Sequence, residues 1–585
     1  MPLGSEPPED QVVRVLPDVP AIDKTFDYLV PDSVRDQVRV GDVVRVELHG
    51  RRVGGWVVET HVTPPVGVAL RPLAKRSGLG PTPDLLELAR WAAWRWAGRP
   101  ASLLKTASPE RVVRSLPAAP TRRAPAPPVG PVIRAALDSG RAVVRLPPTA
   151  DLAAVAAVAA ASGNALVLCP TSATATTVAS RLRRAGVPVA QHPRDWAVGA
   201  AGATVVGTRA AAWAPVGALA AVVVLDEHDE AHQQEQAPTW NARDVAIERA
   251  ARAGVPCLLT SPCPSQEALA WGSLHVPAPA RERRGWPAVE VVDRRDEDPR
   301  TGGLLSPALT RHLRSDLRVL CVLNRRGRAK LLACATCGEL ARCHRCEAAI
   351  TQPEDELVCG RCGATRPVVC LVCGATRFKN ARAGVTRVRE ELEVLVGEPV
   401  AELTAATDPA SPMTRVVVGT EAVLRRIDQA DVVAFLDLDQ ELLAPRFRAA
   451  EQALALMARA ARVVGRSAAT GGPRAAGRLV LQTRLPEHEV VQAAVHADPG
   501  IVATAERARR ELLSLPPCSA MAEVSGAAAS AFVSALVAAC GIATAEAVPG
   551  RWLVRAADHA TLCDALAATT RPPGRLRVEV DPLRV

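Results

Sequence analysis

The chain has 585 residues, 48% hydrophobic and 23% charged, a balance that supports several packed domains and excludes a chain disordered throughout. Basic residues outnumber acidic ones by 71 to 61, a formal charge of +10 carried almost wholly by Arg, which is compatible with polyanion binding without selecting it. The opening MPLGSEPPEDQVVRV has neither a charged nor an apolar signal region, and Ala/Val runs such as DLAAVAAVAAASGNALVLCP are too short and interrupted to span a bilayer. The sequence therefore predicts a cytoplasmic protein with no membrane association, whose 15 cysteines sit in a reducing compartment as metal ligands or buried hydrophobes.

In chain order, residues 1–10 read as a flexible N-terminus. Residues 11–116 form a first domain: short alternating runs (VVRVLPDVP, GDVVRVELHG, GGWVVET) broken by Gly, Pro and Asp predict a β-rich unit, followed by a helix with Thr82 as N-cap and Pro83 in its first turn. Trp91 and Trp94 share a face of that helix and are expected to be core. Residues 117–131 hold six prolines in fifteen positions and read as a semi-stiff linker.

Beyond the linker the pattern changes. RAVVRL, NALVLCP, ATVVGT and AAVVVLDEHD are continuous apolar runs spaced by helical stretches, the signature of strands buried on both faces of a parallel sheet. LRVLCVLN, TRVVVGT, DVVAFLDLD and GRLVLQT form a second set. These predict two doubly wound α/β lobes, 132–285 and 286–494, with a cysteine-rich insert at 334–374 between the first and second strands of the later lobe. Residues 495–585 read as a small α/β C-terminal domain.

The insert carries four C-x-x-C pairs: Cys334/Cys337, Cys343/Cys346, Cys359/Cys362 and Cys370/Cys373. A two-residue gap lets both thiolates of a knuckle face one ion, and two knuckles complete a closed tetrahedral shell, so eight ligands fit two structural zinc ions. Spacing alone does not say which pairs share an ion. The other cysteines are scattered and follow apolar runs.

VVVLDEHDEAHQQ, residues 222–234, looks like a buried strand delivering carboxylates to a magnesium–nucleotide site. Such a site needs a glycine-rich loop with Lys and Ser/Thr at the first strand-to-helix turn after the linker. That turn reads RAVVRLPPTADLAAV, with no lysine and with Pro147 and Pro148 removing N–H donors; GK[ST] occurs nowhere in the chain.

FDYLVPD, VVGTRAAAWAPVGALAAVVVLDEHDE, WNARDVAIERA, VLNRRGRAKLLACATCG, FRAAE and the terminal VEVDPL, in this order, resemble the replication-restart PriA (primosomal protein N′) family. The resemblance implies a helicase core of two RecA-like lobes fused to an N-terminal domain that holds a nascent 3′ end. It implies nested zincs: Cys334, Cys337, Cys370 and Cys373 on one ion, Cys343, Cys346, Cys359 and Cys362 on the other. Phe26, Asp27, Gly50 and Arg71 stand where the family grips the terminal nucleotide, by stacking, hydroxyl acceptance and phosphate pairing. Phe26 and Gly50 fit a core residue and a turn equally well.

Against the family's Asp-Glu-Glu-His motif this chain has Leu225, Asp226, Glu227 and His228, a remnant that puts Leu where the metal-binding carboxylate belongs. The GSATPS, GTQM and QVAGRAGR segments are TSPCPS, GTEA and ARAARVVGR, the last keeping Arg466 and losing the first arginine finger. The family's winged-helix domain has no counterpart segment, and the loop after the acidic motif keeps Trp240 but few other aromatics.

The sequence therefore predicts a restart protein that binds abandoned forks, forked DNA and single-strand/duplex junctions, and a nucleoid-associated location. Its implied partners are primosome proteins, the replicative helicase or its loader, and single-strand-binding protein. It predicts two zincs per chain and no catalytic residues, with ATP and magnesium not turned over. The alternatives are an active ATP-dependent 3′-to-5′ helicase, against which the missing lysine argues, and a zinc-ribbon scaffold outside replication.

Overall fold

The structure is a computed structural model that describes residues 11–19, 22–64, 67, 69–121, 131–297, 303–323, 332–353, 355–380, 385–404, 407, 414–469, 477–537 and 541–585. The flexible N-terminus, most of the Pro-rich linker and the NRRG stretch after Leu323 lie outside the described residues, as does the side chain of Arg466.

The N-terminal unit is a six-stranded sheet in which Val12–Pro17 lies between Phe26–Leu29 and Arg51–Thr60. Its edges meet through one short stretch: Arg71–Pro72 pairs with Phe26–Leu29, while Lys75–Gly78 pairs with Val43–Leu48. Between them the Leu73 N–H donates to Leu29 and the Ala74 N–H to Arg45, so the sheet closes into a small barrel around Val13, Val15, Tyr28, Val44 and Val57. The helices Pro83–Arg95 and Pro100–Ala107 follow. Thr82 is the N-cap position, but its side chain makes no capping bond. The tryptophan expectation shifts by a few residues: Trp91 and Trp94 are half-buried, and Trp96 is the core residue, its ring centre 5.4 Å from that of Trp91 in an edge-to-face contact.

Two parallel sheets make up the centre. The first has seven strands, in the order Ser273–His275, Arg141–Arg145, Cys257–Ser261, Leu219–Leu225, Asn164–Leu168, Thr204–Gly207, Val189–Gln191. The second has six, in the order Ala288–Asp293, Arg478–Thr483, Val432–Phe435, Val319–Val322, Val416–Gly419, Ala401–Leu403. Both faces of each sheet are covered by apolar clusters, which is why the central strands lack alternation. One expectation is corrected. Ala288–Asp293 pairs with Arg478–Thr483 and is the first strand of the second sheet, so the cysteine insert falls after the second strand. That strand is half-buried at a sheet edge and gave no continuous apolar run.

The C-terminal part is a four-stranded antiparallel sheet, Ala543–Val548, Arg551–Ala556, Ala520–Ser525, Arg577–Val580, with helices Ala529–Leu536 and His559–Ala568. A single apolar cluster joins the N-terminal helices (Leu88, Trp96), one face of the first parallel sheet (Trp213, Val222) and this C-terminal sheet (Phe532, Val554). Polar contacts follow the same seam: the Trp94 indole donates to Asp564 at 2.8 Å, and Asp581 accepts from Arg95 at 2.6 Å and pairs with His559 at 2.8 Å. No helix among the described residues is long and apolar enough to cross a membrane.

Trp96→Ala removes a side chain at the junction of all three parts and leaves a large cavity. It should cost about 3–5 kcal/mol, read as a lower midpoint in thermal unfolding followed by near-ultraviolet circular dichroism.

Candidate functional site

The strand Leu219–Leu225 ends inside the first sheet. Leu225, expected from the sequence to stand in place of a metal-binding carboxylate, is fully buried in the core with Val144, Val167 and Leu258. Asp226 then takes a left-handed conformation at φ +52°, uncommon for a non-glycine residue. Its buried carboxylate accepts from both terminal nitrogens of Arg462, each at 2.6 Å. Arg462 belongs to the helix Ala449–Ala469 of the second parallel unit, and its Nε donates to the Pro148 carbonyl at 2.7 Å. One guanidinium thus ties the acidic segment to the turn where a phosphate loop would stand.

That turn is packed from both sides. A Cβ on Gly465 would lie 2.3 Å from Thr149 Cγ2, and one on Gly285 would lie 2.2 Å from Pro147 Cβ. Glycine at these positions lets the helix and the 279–285 segment close on the turn.

The neighbouring acids are also committed. Glu227 accepts the Ser265 N–H and hydroxyl, each at 2.8 Å, which fastens TSPCPS to the acidic segment. The His228 ring meets the Ser261 hydroxyl at 2.8 Å. Asp229 accepts from the Ala231 N–H at 2.9 Å and from Arg459 at 2.8 Å, with Arg425 at 3.8 Å. Burial pushes the Asp226 and Asp229 carboxyls up, but the facing arginines outweigh it and hold both below the usual carboxylate range. Glu267, from the first unit, is held low in the same way by Arg448 and Arg510. Burial pushes His232 down, burial with the Arg462 charge pushes His228 down, and burial with the Arg249 charge pushes His192 down to about 4.

Sequence reasoning followed Arg466 and missed Arg459 and Arg462. Their spacing of three on one helix was the available signal, since it places both on one face. Trp240 is buried and meets Trp213 edge-on at 5.6 Å, so it serves the core. A cavity of about 480 Å³ runs beside the ion pairs, between Trp91, Arg243, Glu267, Arg459, Pro517 and Asp581, and neither Asp226, Arg462 nor the 147–149 turn lines it.

In the insert, the Sγ atoms of Cys334, Cys337, Cys370 and Cys373 lie within 4.8 Å of one another, as do those of Cys343, Cys346, Cys359 and Cys362. The closest pairs are 3.5–3.7 Å apart (334/373, 337/370, 343/362, 346/359). A tetrahedral Zn–S shell with bonds of about 2.3 Å has edges of about 3.8 Å, so both sets fit. Every knuckle ends the same way. The N–H of the residue after the second Cys donates to the carbonyl of the first, and that residue has positive φ: Gly338, Glu347, Gly363 and Gly374. The two clusters could hold two metal ions, consistent with zinc. Bound there, zinc would fix the fold of the insert. The module rests on the loop before FRAAE: the Ala349 N–H donates to Leu443 at 2.8 Å, Arg361 to Ala444 at 2.8 Å, and Leu443 packs on Ala333 and Leu340.

On the barrel, Asp27 lies opposite Arg14 in register, and Arg14 grips both carboxylate oxygens at 2.9 and 3.2 Å while reaching Glu59 at 2.8 Å. Phe26 is half-buried against the barrel core. Arg71 pairs with Glu47 and sits beside Tyr28 in the parallel register, and Gly50 turns between Val43–Leu48 and Arg51–Thr60 at φ +75°. Arg71 and the Gly50 turn are thus linked through Glu47, and Asp27 is one residue from the strand position beside Arg71.

Cys346→Ser should lower bound zinc from about two to about one per chain by elemental analysis, because one shell loses a ligand and the other keeps four. Acid should act in two stages. Histidines held below their unfolded value leave the unfolded chain binding more protons, so stability falls as pH drops from about 6.5 toward 4. Carboxylates held below theirs contribute stability that is complete above about pH 4.5 and is lost on further acidification. Tryptophan fluorescence across a pH 7 to 2 titration checks both.

Residues 14–109 match the 3'DNA-binding domain (3'BD) family of PriA. The chain is 32% identical over 572 residues to the probable replication restart protein PriA of Mycobacterium tuberculosis, covering 87% of this chain and 86% of that protein. It is 29% identical over 343 residues to replication restart protein PriA of Bacillus subtilis, with 54% of this chain and 42% of that protein covered. It is 29% identical over 316 residues to that of Haemophilus influenzae, with 49% and 42% covered. With a 3′-end DNA-binding domain and a match along most of both chains, this chain belongs to the replication restart protein PriA family.

Proposed function

We propose that this member of the family binds abandoned replication forks at the nascent 3′ end and promotes primosome assembly and reloading of the replicative helicase, without hydrolysing ATP or unwinding DNA itself. The observation that carries the reading is the pair between Asp226 and Arg462, with Arg462 Nε on Pro148. The acid, the arginine and the turn that would together handle Mg–ATP are satisfied by one another. The loss of a phosphate-cradling lysine costs orders of magnitude in phosphoryl transfer. The two parallel α/β units are then the helicase-like lobes, 132–285 and 286–494, retained as a scaffold between the 3′-end domain, 11–116, and the C-terminal domain, 495–585.

In this reading the barrel rim formed by Phe26, Asp27, Gly50 and Arg71 receives the terminal nucleotide. Asp27 accepts the 3′-hydroxyl on lone pairs that Arg14 leaves free, Arg71 exchanges Glu47 for a phosphate, and Gly50 admits the sugar without a side chain in the way. The zinc module, held by its eight cysteines, presents a rigid surface to primosome proteins, to the replicative helicase or its loader, and to single-strand-binding protein.

The test is steady-state ATP hydrolysis by zinc-replete protein, with and without a forked DNA bearing a leading-strand 3′ end, beside binding to the same fork. The expected result is tight, salt-sensitive fork binding with no stimulated hydrolysis. Fork-stimulated turnover overturns it. Asp27→Asn should cut the preference for a 3′-hydroxyl over a 3′-phosphate end by about tenfold, the cost of replacing a charged acceptor by a neutral amide.

A further inference from the structure

Most ion pairs between the two parallel units run one way, with Arg145 to Asp498 at 3.3 Å as the exception. The first unit supplies the acids Asp226, Asp229 and Glu267; the second supplies Arg462, Arg459 and Arg448 to meet them, at 2.6, 2.8 and 2.7 Å. Arg510, fully buried, adds a bond to Glu267 at 3.0 Å while pairing with Glu451 and Glu506. Polar contacts extend the seam: the Gln266 N–H donates to Glu451 at 2.8 Å, and its side chain to the Ala503 carbonyl at 2.7 Å. These acids are 16% exposed or less, so salt and water screen them little.

We propose that this seam is an ionic latch that holds the two units closed without nucleotide, with Arg462 as the permanent counter-ion of Asp226. In a nucleotide-driven pair of lobes, phosphate and magnesium supply the charge that joins the two faces, and closure comes and goes with them. Here the joining charge is covalently part of the helix Ala449–Ala469. A ligand shifts a conformational equilibrium only by its differential affinity for the two states. The closed state already partners Asp226, Arg462 and the Pro148 carbonyl with one another, so nucleotide gains nothing from these groups by closing it. The buried carboxylate also makes opening unfavourable, because Asp226 would keep its strained backbone and lose its partner. The two units therefore present one fixed surface to DNA and to partners. The latch rests on the reading that the chain does not turn over ATP, but concerns a different property: which interaction sets the relation between the units.

Hydrogen–deuterium exchange on the full-length zinc-replete protein tests it, reading residues 147–151 and 226–232, with the barrel segment 43–60 as an internal control. Millimolar Mg–ATP should leave exchange of the wild type unchanged. Arg462→Gln and Asp226→Asn should each raise exchange in both segments by about tenfold or more, leaving the barrel unaffected. The double variant, which leaves no uncompensated charge, should exchange no faster than the worse single variant. Nucleotide-induced protection in the wild type, or unchanged exchange in Arg462→Gln, overturns the latch. Loss of barrel protection in a single variant marks global unfolding, and the double variant then decides: exchange faster than in both singles overturns the proposal, and recovered protection supports it. Hydrolysis measured on the same samples separates the two readings. Turnover with nucleotide-insensitive exchange defeats the silent motor and keeps the latch, and the reverse pattern does the opposite.

Discussion

A carboxylate at the end of a fully buried parallel strand cannot remain alone, and much of this molecule is arranged around giving Asp226 a partner. Its cost of burial is several kcal/mol unless a well-placed cation answers it. The strand pins its depth, the left-handed backbone sets its direction, and the helix carrying Arg462 must come close enough for a two-pronged contact. That approach requires Gly465 against Thr149. Once the helix is so placed, Arg459 falls opposite Asp229 one turn earlier, and the helix start brings Glu451 to the Gln266 N–H.

The start of that helix is also where the FRAAE motif gains its meaning. The Phe447 ring is flanked by the guanidiniums of Arg448 and Arg510, 4.8 and 5.2 Å from its centre, an arrangement that lets two like charges share an apolar and electron-rich surface. Both arginines then turn to Glu267. The loop just before it, Leu443–Pro445, is the shelf on which the cysteine module sits. The cysteine module and the seam between the parallel units are therefore neighbours along the chain as well as in space.

The parts legible in the sequence are those whose physics is local. Continuous Val/Leu runs announced the central strands, and four C-x-x-C knuckles announced two closed shells, although only the family resemblance supplied their nested pairing. Edge strands such as Ala288–Asp293, Val189–Gln191 and Ala401–Leu403 escaped because short, half-covered strands carry weak patterns. The proline-bearing turn was readable as a strand-to-helix turn without lysine, but not as a surface on which Arg462 would settle. Among so many arginines, which ones face inward depends on how two distant sheets meet. Likewise Arg14 is ordinary in sequence, and only strand register sets it opposite Asp27. Trp96 rather than Trp94 became the core residue because the C-terminal sheet covers that side of the helix.

The shared apolar cluster has a consequence for how the chain is made. Trp96 and its helix complete their burial on strands that begin at Ala520, and Arg95 waits for Asp581. At about 5–20 residues per second, a ribosome needs on the order of tens of seconds to synthesise the stretch between them. During that interval the barrel can close on its own, but the helix beside it has an uncovered apolar face. The first parallel sheet emerges partway through and covers part of it. The strands from Ala520 to Val580 finish the seal, so this helix is fully covered only after they have been made.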